Sequence, residues 1–153
     1  MVKTWTPQRP PAAKQWHKPE YHRDGLGYSS RTWRTLSLAW LRTYPLCVLC
    51  LARGRVNQGA GENASAVQRN LIVDHIRPHK GDTELFWDQD NWQTLCRMPC
   101  HDRDKRRSEG AGREWFAWLR KIVEQDGTRE TVLAYQNLLP ERIAIELLRS
   151  EAG

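Results

Sequence analysis

Residues 71–101 decide the fold of this 153-residue chain, and they read LIVDHIRPHKGDTELFWDQDNWQTLCRMPCH. The apolar run at residues 71–73 predicts a short buried strand that ends at Asp74 and His75. Residues 91–96, NWQTLC, predict a second strand that returns beside the first. A unit of this size buries little surface by itself, so the rest of the chain must supply much of the core.

The residues between and after the two strands carry their own signals. Pro78 and Gly81 predict a turn at the start of a long loop. A helix with a strongly basic face is predicted from Cys100 to Gly110. Strand, loop, strand and helix therefore follow one another, which indicates a small ββα core within a mostly helical α+β protein.

An amphipathic helix is predicted before this core. Ser29 or Ser30 would be its N-cap, and Pro45 would end it. Its apolar residues recur at helical spacing and are Trp33, Leu36, Trp40, Leu41 and Tyr44. Because the tryptophans share a face with leucine, we expect them to pack in the core rather than to stack on bases.

Helices are also predicted after Gly112. The first of them has periodic apolar residues, which are Trp115, Trp118, Leu119, Ile122 and Val123. Weaker helical patterns cover residues 128–138 and 140–150, with Pro140 in the first turn of the last helix. These helices would cover the small core, although a dimer surface or a docking site would give the same pattern.

The composition is that of a folded globular protein. Hydrophobic residues make up 39% of the chain and charged residues 27%, which is neither the apolar run of a membrane span nor the polar excess of a disordered chain. The 24 Lys and Arg against 18 Asp and Glu give a net charge of +6. Such a charge suits nucleic acid, an acidic protein or simply a soluble surface.

The N-terminal residues predict an arm rather than a folded element. Residues 1–28 are rich in Pro, Lys, Arg and isolated Trp and show no periodicity, so we expect a basic extended arm. The basic residues of the arm would contact the phosphates of a nucleic acid, or else the arm is a flexible charged terminus. Nothing near Met1 resembles a secretory signal, so we expect a protein of the cytosol.

The four cysteines fall into two close pairs, Cys47 with Cys50 and Cys96 with Cys100. A reducing cytosol disfavours disulfides, so such pairs are more typical of metal ligands. Four thiolates can close a tetrahedral structural zinc site that has no position left for a substrate. The second pair has three intervening residues, where tight knuckles more often have two, and four small buried thiols remain the alternative.

Three residues beside the cysteine pairs offer ligands for a second, open metal site. Asp74 and His75 end one strand and His101 follows Cys100 directly, so the fold could bring them together. Taken singly, each is more simply a cap or a satisfied polar side chain. Together, a carboxylate and an imidazole suit catalytic Mg²⁺, Mn²⁺, Ni²⁺ or Zn²⁺ acting on a phosphodiester, with His75 left as the base.

Three stretches of the chain resemble the phage and prophage branch of the HNH endonucleases. They are PLCVLC at residues 45–50, VDHIRPHKGDTELFWDQDNWQTLC at residues 73–96 and CHDRDK at residues 100–105. The likeness extends loosely to the upstream helix and does not reach residues 113–153. It implies an HNH core of residues 29–112 with a ββα-metal fold, followed by a helical extension at 113–153 packed on the same domain.

The resemblance also implies the roles of the site residues. Asp74 and His101 would ligate the catalytic metal, His75 would deprotonate the attacking water, and Asn91 would hold the loop and orient His75. The products would carry a 5′-phosphate and a 3′-hydroxyl. His79 would approach the metal or the phosphate, or else is a surface turn residue.

A basic surface near this site would bind DNA phosphates, which provides affinity without sequence information. Its predicted members are Lys80, Arg103, Lys105, Arg106 and Arg107. The alternative is a solvated charged helix face.

Two functions remain open at this point. The first is an HNH endonuclease that nicks or cuts DNA. As the phage likeness implies, it would act in the bacterial host cytosol and would have the large terminase subunit as a candidate partner. The second is a non-catalytic zinc-stabilised module that binds nucleic acid and needs neither His75 nor Asn91.

Overall fold

The computed structural model describes residues 27–60 and 70–150. Its first helix, α1, spans Arg31–Thr43, and the Oγ atom of Ser30 accepts the N–H of Trp33 at 3.0 Å. The helix predicted from Ser30 is therefore confirmed, and it ends just before Pro45. The predicted arm lies outside the described residues except for its last two, Gly27 and Tyr28.

The first cysteine pair lies on a tight helical turn. Helix α2 spans Val48–Ala52, and the Sγ atom of Cys47 caps it by accepting the N–H of Cys50 at 3.4 Å. Asn57 holds this turn from the following segment, because its Oδ1 accepts the N–H of Cys47 at 2.7 Å. A short 3₁₀ turn at Gln58–Ala60 follows.

Both predicted strands are confirmed. Strand β1, Leu71–His75, pairs antiparallel with β2, Trp92–Cys96, and the register places Val73 opposite Thr94. All five residues of β2 are buried, because its two faces are covered by other elements. The polar residues of β2 therefore do not reach solvent, although polar residues in a strand usually mark a face that is exposed.

The prediction of a long loop between the strands is wrong in part. It contains helix α3, Thr83–Trp87, and a 3₁₀ turn at Gln89–Asn91. The Oδ1 atom of Asp82 caps α3 by accepting the N–H of Leu85 at 3.0 Å. A five-residue helix is too short to show periodicity, so only this capping residue could have signalled it.

The helices after β2 follow the predicted order. A widened helical turn, Arg97–Lys105, runs into α4, Arg106–Gly110, with Met98 in an extended conformation at its start. The C-terminal helices are α5, Trp115–Asp126, α6, Arg129–Tyr135, and α7, Glu141–Leu148, with a 3₁₀ turn at Gln136–Leu138. Pro140 lies at the N-cap of α7 and so one position before the predicted first turn.

Two hydrophobic clusters hold these elements together. The larger one combines α2 and the four cysteines with apolar residues of α5, α6 and α7. The smaller one is mostly aromatic and consists of Trp33, Trp40, Val73, Phe86 and Trp92. The tryptophans of α1 therefore pack in the core, as predicted, and the C-terminal helices cover the cysteine cluster.

One segment, Arg31–Ala52, is long and apolar enough to cross a membrane by length and composition alone. In the fold it is not one straight helix, because α1 ends at Thr43 and α2 begins at Val48. Core helices of soluble proteins pass the same test, so the segment is weak evidence for a membrane span.

Candidate active site and zinc centre

The four cysteines form a buried cluster in which all sulfur atoms lie within 4.8 Å of one another. The Sγ atom of Cys50 is 3.8 Å from that of Cys96 and 3.6 Å from that of Cys100. A disulfide bond is only about 2.05 Å long. A tetrahedral site with Zn–S bonds of about 2.3 Å has sulfur–sulfur edges of about 3.8 Å. The cluster can therefore hold a metal ion, and its distances fit zinc.

The charge that the four thiols would carry when ionised also favours a bound cation. Burial raises the pKa of the Cys47 thiol, whereas hydrogen bonding from Cys100 lowers the pKa of Cys50. Four sulfur atoms at this distance repel one another when ionised, so they do not lose their protons together without a positive ion between them.

The sequence analysis did not identify Asn57 as a residue that supports the cysteine turn. Its φ of 47° is positive, a conformation in which asparagine is enriched.

Asp74, near the end of β1, has two carboxylate oxygens in different surroundings. Its Oδ1 lies 3.3 Å from Nε2 of His101, and its Oδ2 accepts the side-chain N–H of Gln93 at 2.9 Å. Burial by itself would raise the pKa of Asp74. The hydrogen bond with His101 and the charge of Lys105 outweigh burial and lower the pKa. Asp74 is therefore an anion held next to an imidazole nitrogen.

His101 faces Asp74 from the widened turn after β2. The hydrogen bond to Asp74 raises the pKa of His101, and Nδ1 of the same ring lies 2.6 Å from Oδ1 of Asp102. A second carboxylate on the far nitrogen is the usual orienting partner of a metal-binding histidine. The Oδ1 atom of Asp74 and Nε2 of His101 thus form an oxygen and nitrogen donor pair at the edge of a cavity of about 500 Å³.

His75 is the last residue of β1 and is 5% exposed. Its Nε2 lies 2.9 Å from the carbonyl oxygen of Phe86, which can only accept a hydrogen bond. The neutral ring therefore carries its proton on Nε2 and has its lone pair on Nδ1. The ring stacks on Trp33 at 5.6 Å with an interplanar angle of 19°. Burial lowers the pKa of His75, which keeps the imidazole neutral at neutral pH.

Asn91 connects the two ends of the segment between the strands. Its Oδ1 accepts the N–H of Arg77 at 2.9 Å, and its Nδ2 donates to the carbonyl oxygens of Arg77 at 3.0 Å and Leu85 at 3.4 Å. Leu85 directly precedes Phe86, whose carbonyl holds His75. Asn91 therefore fixes the segment that orients the His75 ring.

The HNH endonuclease family model matches residues 47–107. This segment contains all four cysteines and the residues just described, which are Asp74, His75, Asn91 and His101. This chain contains an HNH endonuclease domain at residues 47–107. No curated protein and no solved structure matched the chain.

The HNH site contains a residue that no sequence pattern indicated. The hydroxyl of Tyr28 lies 3.3 Å from Nδ1 of His75 and 3.0 Å from Nε2 of His79. Its ring also packs edge-on against Trp33 and Phe86. His79 therefore contacts His75 both through Tyr28 and directly, with ring centroids 4.9 Å apart, and both histidines line a second cavity of about 290 Å³. Tyr28 was missed because it falls within the stretch that predicts an arm.

Lys105 does not belong to the predicted phosphate-binding surface. Only 1% of it is exposed, and its Nζ donates to the carbonyl oxygen of His75 at 3.2 Å and to the carboxylate of Glu109. The same ammonium lies 3.4 Å from Oδ2 of Asp74. The sequence around Lys105 contains several basic residues and does not indicate which side chain is buried. That depends on where the widened turn ends.

The other predicted members of the phosphate-binding surface reach solvent. Lys80, Arg103, Arg106 and Arg107 are exposed. The guanidinium of Arg103 is bound to Asp104 at 2.8 Å, which leaves it less able to reach a phosphate. Arg106 lines the larger cavity together with Arg97, which the sequence did not single out.

Proposed function

We propose that this chain is a metal-dependent endonuclease that hydrolyses the phosphodiester bonds of DNA. The observation that carries the proposal is that Asp74 lines both the cavity it shares with His101 and the cavity it shares with His75. The base has its lone pair on Nδ1 and its opposite nitrogen fixed by the Phe86 carbonyl. The HNH domain suggests a nuclease in general, and the geometry of these residues supports one that is catalytically active.

His75 is the general base in this proposal. A neutral imidazole can take the proton of a water molecule at working pH, and such catalysis contributes on the order of 10²- to 10⁴-fold to the rate. The protonated ring would still donate from Nε2 to Phe86, and the negative charge of Asp74, its neighbour in β1, would stabilise it. Asn91 contributes by fixing the segment that carries this carbonyl.

Asp74 and His101 would hold a divalent cation, for which Mg²⁺, Mn²⁺, Ni²⁺ and Zn²⁺ are candidates. The fit rests on the donor set, in which a carboxylate oxygen and an imidazole nitrogen lie 3.3 Å apart at a cavity edge. When bound, such an ion polarises a phosphate oxygen and stabilises the leaving alkoxide. The cysteine cluster would hold a separate structural zinc ion, because all four of its ligand positions are filled by sulfur.

The DNA would lie across the exposed arginines beside the larger cavity. Arg97 and Arg106 line that cavity together with Asp74 and His101, so phosphates next to the scissile one would meet positive charge. Lys80 lines the smaller cavity on the His75 side, and Arg107 is exposed on α4. The products would carry a 5′-phosphate and a 3′-hydroxyl, as the family resemblance implies.

Conversion of supercoiled plasmid to nicked and linear forms tests this proposal. The purified chain is incubated with Mg²⁺, Mn²⁺ or EDTA, together with a His75→Ala variant and an Asn137→Ala control on the exposed 3₁₀ turn. We expect metal-dependent conversion by the wild type and the control and none by His75→Ala. Equal activity of His75→Ala, with normal zinc content, would contradict the role of the base.

The competing function is a zinc-stabilised module that binds nucleic acid without cutting it. It predicts one tightly held zinc ion, DNA binding, and no conversion of plasmid with any divalent ion. The ratio of nicked to linear product in the same experiment shows whether an active enzyme cuts one strand or both.

The likeness to the phage and prophage branch supports a further proposal about setting. The protein would act in the cytosol of a bacterial host, and its partner would be the large terminase subunit. Its domains would be an arm at 1–28, whose last residue Tyr28 packs on the core, an HNH core at 29–112 and a helical extension at 113–153. Co-purification with a large terminase subunit tests the partner, and no association together with unchanged cleavage would contradict it.

A further inference from the structure

The two oxygens of the Asp74 carboxylate are held in an asymmetric way. Oδ1 faces His101 across 3.3 Å, where the proposed cation would bind. Oδ2 points away from it and accepts the side-chain N–H of Gln93 at 2.9 Å, with Lys105 Nζ at 3.4 Å. The groups on Oδ2 therefore determine which oxygen of Asp74 is presented to the cation.

Gln93 is fully buried in β2, and its amide can be turned in two ways. Its Oε1 accepts the indole N–H of Trp115 at 2.8 Å. An indole N–H can only donate, so the amide oxygen must face Trp115 and the amide nitrogen must face Asp74. Trp115 thereby fixes the orientation of Gln93 as a donor to Asp74.

Trp115 also supports the second group on Oδ2. Its ring lies 5.4 Å from Nζ of Lys105, within the range of a cation–π contact. Lys105 is buried and bonded to the backbone carbonyl of His75 as well. One tryptophan thus contacts both side chains that hold the far oxygen of Asp74.

The position of Trp115 comes from the C-terminal part of the chain. It is the first residue of α5, and the carboxylate of Glu114 caps that helix by accepting the N–H groups of Phe116 and Ala117. Trp115 is 6% exposed and belongs to the larger hydrophobic cluster. The residues that match the HNH family model end at 107, so Trp115 lies outside them.

We propose that Trp115 is a positioning residue for the divalent cation site. Through Gln93 it holds the Asp74 carboxylate so that Oδ1 faces His101, and the C-terminal extension is thereby part of the active site. This inference rests on the proposed function, because it takes Asp74 as a ligand of the cation. Groups that orient a metal ligand typically contribute 10- to 100-fold to metal affinity.

The test measures Mn²⁺ binding by calorimetry to the full chain with its zinc retained, without DNA. Trp115→Phe removes the indole N–H and keeps an aromatic ring. Trp118→Phe is the matched control, because Trp118 packs against Trp115 on the same helix and is not among the partners of Gln93. We expect the Mn²⁺ dissociation constant to rise about 10-fold for Trp115→Phe and to stay unchanged for Trp118→Phe.

A second pair of variants separates positioning from simple packing. Gln93→Met keeps the length of the side chain and removes its N–H, and we expect it to weaken Mn²⁺ binding as much as Trp115→Phe does. If Trp115 acts through Gln93, the double variant is no weaker than Gln93→Met alone. Normal Mn²⁺ affinity of Gln93→Met, or a fully additive double variant, would overturn the inference.

The Asp74→Ala variant distinguishes this inference from the proposed function. If Asp74→Ala abolishes Mn²⁺ binding and Trp115→Phe leaves it unchanged, the positioning role is wrong and the cation site stands. If the wild type does not bind Mn²⁺, or Asp74→Ala binds it equally well, the cation site itself is wrong. Loss of zinc and of thermal stability in Trp115→Phe, with normal affinity in Gln93→Met, shows a structural role only and also overturns the inference.

Discussion

The hydroxyl oxygen of Tyr28 lies 3.3 Å from Nδ1 of His75. In the proposed reaction this nitrogen is the one that accepts the proton of the attacking water. The polarity of this contact follows from His79. The N–H of Gly81 donates to Nδ1 of His79 at 3.1 Å, so neutral His79 carries its proton on Nε2 and donates it to Tyr28. The Tyr28 hydroxyl can then donate its own hydrogen to His75, where it competes with a water molecule for the same lone pair.

Removing this hydroxyl should make the base more available. We expect Tyr28→Phe to raise the turnover number about threefold, the equivalent of one net hydrogen bond, with little change in KM. The Phe ring keeps the edge-on contacts with Trp33 and Phe86. Steady-state kinetics on a short DNA duplex checks this. A loss of activity of tenfold or more would show that the hydroxyl assists the reaction instead.

Asn91 should matter through the base and not through the metal. Asn91→Ala removes three hydrogen bonds to the segment that carries the Phe86 carbonyl. We expect the turnover number to fall about 100-fold, because a misplaced base loses most of its effect. The free energy of unfolding should fall by about 2 kcal/mol.

The informative comparison for Asn91 is Mn²⁺ affinity measured on the same preparation. Asn91→Ala should bind Mn²⁺ as the wild type does, since Asn91 is not among the hydrogen-bond partners of Asp74 or His101. A parallel loss of Mn²⁺ affinity would mean that Asn91 supports the whole site and not the base alone. Asn137→Ala serves as the control for the loss of an exposed asparagine.

The sequence predicted those parts of the site that depend on local spacing. The cysteine pairs, the strand ending at Asp74 and His75, and the helix beginning near His101 each have a local signal, and the β1–β2 pairing brings them together. These positions could be predicted because ligand geometry and strand patterning act over a few residues.

The residues that support the site could not be predicted in this way. Gln93 meets Trp115 only because α5 packs back on β2, and no spacing rule links two residues 22 positions apart. Lys105 has the same charge as its exposed neighbours, and its burial is decided by the three-dimensional path of the turn. Tertiary packing determines both the contact and the burial, and the local sequence does not indicate either.

The cysteine cluster should determine whether the core folds. Cys50→Ser removes one of four ligands, so we expect zinc content to fall from one ion per chain to well below one. The melting temperature should fall by more than 10 °C, because α2 and β2 are then no longer joined. Metal analysis and circular dichroism melting check this. An unchanged melting temperature in a zinc-free variant would show that the hydrophobic cluster suffices.

Asp104 makes a pH-dependent contribution to stability. Burial by itself would raise the pKa of Asp104, but hydrogen bonds from Arg103 and Arg53 lower it below its usual range. A carboxylate with a lowered pKa stabilises the folded state above the unfolded pKa of about 3.9, and this stabilisation is lost as pH falls through the folded value. Asp104→Asn should therefore cost about 2 kcal/mol at pH 7.

The difference in unfolding free energy between the wild type and Asp104→Asn should stay constant from pH 7 to about 5 and shrink only below about pH 4. Urea unfolding at a series of pH values measures it. A difference that already disappears between pH 7 and pH 5 would mean that the pKa of Asp104 is raised in the folded state.

The two neighbouring residues Lys105 and Arg106 should differ in their effect on DNA binding. Arg106 is exposed beside the larger cavity, whereas Lys105 is buried between Asp74 and Glu109. Each phosphate contact contributes about 0.9 to the slope of log affinity against log salt concentration. Arg106→Ala should therefore reduce that slope by about 0.9, and Lys105→Met should leave it unchanged. Fluorescence anisotropy with a labelled duplex between 50 and 200 mM salt measures both slopes. A reduced slope for Lys105→Met would mean that the buried lysine turns outward when DNA binds.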